Sequence, residues 1–97
     1  MALNKDQKKY LVGICHHLQP VVMTGQRGLT DAVMVEIEKA LDRHELIKVR
    51  LRGGRKHRQI WIKRIAGDTG AETVQKIGMI ACFFRRNSKD PKLELPK

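Results

Sequence analysis

Residues 46–52, Leu-Ile-Lys-Val-Arg-Leu-Arg, constrain this chain more than any other stretch. Apolar and cationic side chains alternate with a period of two, and an extended strand sorts such a pattern onto opposite faces. Ile47, Val49 and Leu51 are expected to face a core. Lys48, Arg50 and Arg52 then form a row of cations on the other side. Gly53-Gly54 break the strand.

The neighbouring segments follow a helical period. Val33, Ile37, Ala40, Leu41 and His44 recur at i, i+4, i+7, i+8 and i+11, with Thr30 as N-cap and Asp31 in the first turn. Residues 4–18 predict a first helix. Asn4 and Gln7 form its capping box, Leu11, Ile14 and Leu18 its stripe, and Pro20 ends it. Val21-Val22-Met23 reads as a short buried strand. Arg55 to Thr69 predicts a third helix with Ile62, Ile65 and Ala66 inward, closed by Gly70. Trp61 lies beside these core positions and is expected to be partly buried. Two more strands follow, near 72–77 and 79–86, joined at Gly78, with Phe83 and Phe84 in the core. The polar tail from Asn87, with Pro91 and Pro96, is expected to lie on the surface or fray. The order α-β-α-β-α-β-β favours an α/β fold: a mixed four-stranded sheet packed with helices, in one compact domain spanning 1–97.

Composition bears on the partner. Twenty Lys and Arg against ten Asp and Glu give the 97 residues a net charge of +10, a bias that favours a polyanion, nucleic acid first. The bases dominate from Lys48 onward. No apolar run approaches the roughly 18 residues of a membrane helix. The opening residues carry no signal-peptide pattern, so a cytoplasmic location is expected. Cys15 and Cys82 then read as reduced, buried hydrophobes.

Two regions are placed to meet that polyanion. Gly25-Gln26-Arg27-Gly28 lies between a strand and the helix that starts at Thr30. Two glycines there allow a nucleic-acid backbone to approach, the helix N-terminus attracts phosphate, Arg27 offers a charged contact and Gln26 a sugar or base contact. A plain β-to-α turn would use the same glycines. The second region joins Lys48, Arg50 and Arg52 to Arg55, Lys56 and Arg58 at the start of the third helix, where mutual repulsion calls for an anion. Aromatic residues are few, so recognition through backbone and shape is expected rather than base stacking.

Enzyme chemistry finds no support. His16 and His17 are adjacent rather than at i, i+4, and His44 falls on an apolar helix side as a packing or capping residue. No cysteine pair has zinc spacing, and no carboxylate cluster suits magnesium. No cofactor, metal or small-molecule substrate is expected. A DNA-binding module is disfavoured because no helix offers a run of base-reading side chains. A basic adaptor for an acidic or ribosomal protein is the alternative.

Pro20-Val21-Val22, Gly25-Gln26-Arg27-Gly28-Leu29-Thr30, Glu36-Ile37, Ala40-Leu41 and His44-Glu45-Leu46-Ile47-Lys48-Val49 together resemble the bacterial YhbY family. These are stand-alone members of the CRM RNA-binding domain found also in plant chloroplast splicing factors. Thr69-Gly70-Ala71, Val74-Gln75, Ile77-Gly78 and Leu93-Glu94-Leu95-Pro96 continue the resemblance to the C-terminus. It implies a fold similar to the C-terminal domain of translation initiation factor three. It also implies a KH-like G-x-x-G loop and binding to 23S-type rRNA in the precursor of the large ribosomal subunit, whose assembly the protein would assist as a monomer. Two features depart from the family. Gln26 stands where a Lys often follows the first glycine, and residues 52–58 are more basic than usual.

Overall fold

The computed structural model describes residues 2–97. The first helix, α1, spans Lys5–Cys15 and carries the expected capping box. Asn4 Oδ1 accepts the Gln7 N–H at 2.8 Å while Gln7 Oε1 accepts the Asn4 N–H at 3.0 Å. It stops short of Pro20, because His17 and Leu18 donate to Ile14 and Cys15 three residues back and tighten the chain out of α-helical register. Strand β1 is Val22–Met23, α2 is Asp31–His44, β2 is Leu46–Arg50, α3 is Arg55–Thr69, β3 is Glu72–Ile77 and β4 is Ile80–Phe84.

The sheet runs β1-β2-β4-β3. Strands β1 and β2 are parallel, and β4 lies antiparallel to both β2 and β3. The alternation in β2 sorts the two faces as its sequence requires. Ile47 and Val49 lie beside Phe83 and Ala81 of β4, and with Leu51 they form a core against Met34, Ile37 and Leu41 of α2 and Ile65 of α3. The opposite face is not simply cationic. Leu46, Cys82, Phe84 and Val74 form a second, smaller core under Leu11 and Cys15 of α1. The fold is thus three layers, with α2 and α3 on one side of the sheet and α1 over part of the other.

Three expectations are revised: of the expected buried strand Val21–Met23 only Val22 is buried, and Val21 and Met23 are exposed. Lys48 does not stand in open solvent: it is half-buried beside Cys82 on the face that α1 covers. His44 is exposed, and Met34 takes the inward position instead. Both thiols are free and buried. A hydrogen bond to Cys82, together with burial, pushes the Cys15 thiol well above its ordinary range, so it stays protonated.

The tail from Asn87 is held rather than frayed, and Glu45 holds it. This residue links α2 to β2 with φ of 63°, outside the regions that non-glycine residues favour. Its fully buried carboxylate accepts the N–H groups of Asn87 (2.6 Å), Lys92 (2.6 Å) and Leu93 (2.9 Å), and Arg86 Nη1 at 3.1 Å. Leu93 and Leu95 pack against the second core, and Gln7 Nε2 donates to Pro96 O at 2.9 Å. Burial favours the protonated acid, but the three N–H donors and the Arg86 charge outweigh it and lower the pKa.

A lowered folded-state pKa means that the stabilisation is complete above the unfolded value of about 4.3 and disappears as pH falls through the folded value. Glu45→Gln turns an acceptor into a partial donor facing four donors. It should cost about 3 kcal/mol at pH 7. Urea denaturation at pH 7 and pH 3 should show a smaller loss on acidification for Glu45→Gln than for the native chain.

Candidate nucleic-acid interface

The parallel pairing of β1 and β2 sets the site. Both strands end on the same edge of the sheet, and Thr24 extends their pairing by donating its N–H to Arg50 O at 3.0 Å. Its buried Oγ1 accepts the Arg52 N–H at 2.7 Å. The β1–α2 and β2–α3 loops therefore begin side by side, beyond the C-terminal ends of parallel strands, where α/β sheets present their binding loops.

The first loop is a tight turn. Gly28 donates its N–H to Gly25 O at 3.0 Å, which leaves Gln26 and Arg27 exposed at the tip. Gly28 adopts φ of 72°, and a Cβ there would lie 2.6 Å from Trp61 Cζ2. In the second loop a Cβ on Gly53 would lie 2.7 Å from Trp61 Cη2. The indole of α3 thus touches two glycine backbones, one from each loop. A Cβ on Gly25, by contrast, would meet nothing within 4 Å. The two glycines of the motif therefore differ: Gly28 is fixed by internal packing, whereas Gly25 faces open space.

Arg64, one turn along α3 from Trp61, completes the attachment. Its Nη1 donates to Leu29 O at 2.9 Å and its Nη2 to Asp31 Oδ1 at 2.9 Å. The bond to Asp31 raises the guanidinium pKa, and the group remains charged. Thr30 caps α2 by accepting the Val33 N–H at 3.2 Å, so its hydroxyl oxygen serves the helix first.

Gln26, Arg27 and Gly28 line one open cleft with Arg52, Gly53, His57 and Trp61. His57 stacks on Trp61 with ring centroids 5.7 Å apart. Around the N-terminus of α3 a second depression is lined by Arg55, Arg58, Gln59, Ile62, Lys76 and Gly78. Gly54 offers no side-chain cap there, and the first turn contains no acid. Its free N–H groups and cations both attract an anion. Arg58 is partly committed, since its Nη1 donates to Gly53 O at 2.6 Å. Lys56 is exposed on the same turn.

The structure therefore joins Gly25–Gly28 to Arg52 and to the start of α3 in one end of the molecule. It separates Lys48 and Arg50, which lie on the sheet face turned away from α2 and α3. His57, Trp61 and Lys76 join the site without having been singled out for it. The sequence marks Gly25 and Gly28 for a close approach, whereas the internal approach in the structure is made by Gly28 and Gly53, against Trp61. Among the described residues, no group of three His, Cys, Asp or Glu could hold a metal.

A basic α/β domain with a G-x-x-G turn at the ends of its parallel strands is the class that this geometry defines. The chain belongs to the CRS1 / YhbY (CRM) domain family, whose pattern matches residues 3–85. A Haemophilus influenzae relative named "RNA-binding protein" is 47% identical over 96 residues, covering 98% of this chain and 96% of its own length. A Pseudomonas aeruginosa relative named a "probable RNA-binding protein" is 41% identical over 93 residues, covering 95% and 89%. Among solved structures, the solution structure of a Staphylococcus aureus protein is similar with a TM-score of 0.82 at 28% identity, covering 98% of this chain and 100% of that one.

The difference between the two glycines is measurable by thermal denaturation. Gly28→Ala combines a left-handed backbone with the indole clash and should destabilise by about 2–4 kcal/mol. Gly25→Ala should stay within about 0.5 kcal/mol of the native chain. Equal melting temperatures for the two variants would show that Trp61 does not hold the loop.

Proposed function

We propose that this protein binds RNA through the end of the sheet where Gly25–Gly28, Arg52 and the first turn of α3 meet. One observation carries the reading: two cation-bearing loops, fastened to one indole, face the same way beside an uncapped helix N-terminus. The net charge of +10 and the names of the relatives support RNA as the polyanion.

Gly25 leaves room for a sugar-phosphate backbone, as the first glycine of a KH-type loop does. Arg27 and Arg52 flank the path and supply charge-assisted phosphate contacts, with Gln26 at the loop tip for a sugar or base edge. Arg55, Lys56 and Arg58 extend the phosphate track along α3. The role is binding rather than catalysis, with chain 1–97 acting as one CRM-type unit. The target is rRNA of a large-subunit precursor in the cytoplasm, in keeping with the family resemblance.

Three experiments test this. Gly25→Asp with Arg27→Ala should leave the melting temperature near native and weaken RNA binding at least about tenfold, the effect of losing a charged phosphate contact and adding a like charge. If about five phosphates are neutralised, the log–log salt slope on single-stranded RNA should be roughly −3.5, and shallower for Arg55→Glu with Lys56→Glu. In lysate sedimented on a sucrose gradient, the protein should travel with large-subunit precursors and cross-link to their rRNA. Recovery in those fractions by protein contacts alone, with no cross-linked RNA, would favour the adaptor reading.

A further inference from the structure

The outer face of the sheet, which α1 covers only in part, ends in an open row of side chains. Register fixes the row: Met23 lies beside Arg50, Arg50 beside Ile80, and Ile80 beside Ile77, one residue from each of the four strands. All four project away from the core that contains Val49 and Ala81. Met23 is 55% exposed and Ile77 64%, large values for apolar residues that a helix could have covered. Arg50 sits among them half-buried, and its buried Nε has no hydrogen-bond partner. A buried guanidinium N–H without an acceptor is costly, and the row offers it none.

This row lies at the same end of the sheet as the proposed interface. Met23 is two residues before Gly25, and Arg50 is two before Arg52. We infer that RNA entering at the Gly25 loop continues around the end of the sheet, and that the row takes its unpaired bases. The inference rests on the RNA reading above. Base faces would lie on Met23, Ile77 and Ile80, while a base carbonyl, ring nitrogen or phosphate oxygen would accept from Arg50. Lys48, next on the same face, would meet the following phosphate. Charge selects nucleic acid over an acidic protein segment only together with the apolar platform. The row has one cation with Lys48 next to it, exposed aliphatic contact and no carboxylate, and unpaired bases match all three. A duplex keeps its bases stacked and cannot use it.

The test compares an unpaired oligouridine with a duplex of equal length. In the amide NMR spectrum of the full chain, oligouridine should shift Met23, Arg50, Ile77 and Ile80 together with Gly25–Gly28, and the duplex should shift only the loop and α3. Met23→Ser with Ile77→Ser changes two exposed side chains and should weaken oligouridine binding about fivefold while leaving duplex binding unchanged. Arg50→Gln should do the same. Oligouridine shifts confined to the loop, or native affinity in the double variant, would overturn the inference while the RNA reading stands. Loss of a protein partner by the double variant with unchanged oligouridine affinity would overturn it in favour of protein docking. No binding of either RNA to the native chain would overturn both readings.

Discussion

The indole of Trp61 is the contact on which the two loops of the proposed interface depend. Loops that follow neighbouring parallel strands need not keep a fixed relation, because each leaves for its own helix. Here both glycine backbones close on the six-membered part of one ring, Gly28 at Cζ2 and Gly53 at Cη2 and Cζ3. Arg64 ties Leu29 to the same helix, and Thr24 ties the start of one loop to Arg52 in the other. The result fixes the backbones of both loops, and so the places from which Arg27 and Arg52 project, relative to the start of α3. Preorganised spacing matters for a polyanion, since phosphates arrive at intervals that flexible cations would have to be ordered to match.

The electrostatics of α3 fit the proposed polyanionic partner. A helix whose first turn is Arg-Lys-His-Arg, with glycine at the cap, places cations against the positive end of its own dipole. Nearby acids do not relieve it: Asp31 is taken by Arg64, and Glu45 is sealed at the other end of β2. The native chain tolerates this because Ile65 and Trp61 anchor the helix by burial. In the proposed interface, the repulsion that these cations cost the helix is what an anion would relieve.

Much of this was legible in the sequence where the determinants are local. The Asn4–Gln7 capping box, the Thr30 cap and the Gly70 stop each act within a few residues, and each formed as expected. The alternation in β2 and the order of elements sufficed for the mixed sheet, and Phe83 and Phe84 are both buried. What escaped was non-local. Period two sorts Lys48 from Val49 but does not reveal that α1 will cover the lysine's face. Nothing near Gly28 in sequence points to Trp61, 33 residues on, so its role in packing was hidden behind its role in a motif. His44 fitted a helical stripe that Met34 completes instead, since a helix face is chosen by what packs on it. The tail looked free because the group that holds it is a single glutamate in an otherwise ordinary junction.

That glutamate has a consequence for how the chain comes into being. Every donor to the Glu45 carboxylate lies 41 to 48 residues further on. A nascent chain therefore carries an ionised group destined for the interior long before its partners have been synthesised. Until then the charge keeps water at the junction between α2 and β2 and opposes closure of the smaller core. The anchorage of Glu45 can be completed only when the segment through Leu93 is free of the ribosome. A chain that stops before Leu93 leaves the buried carboxylate short of donors, and closing the smaller core around it then costs free energy.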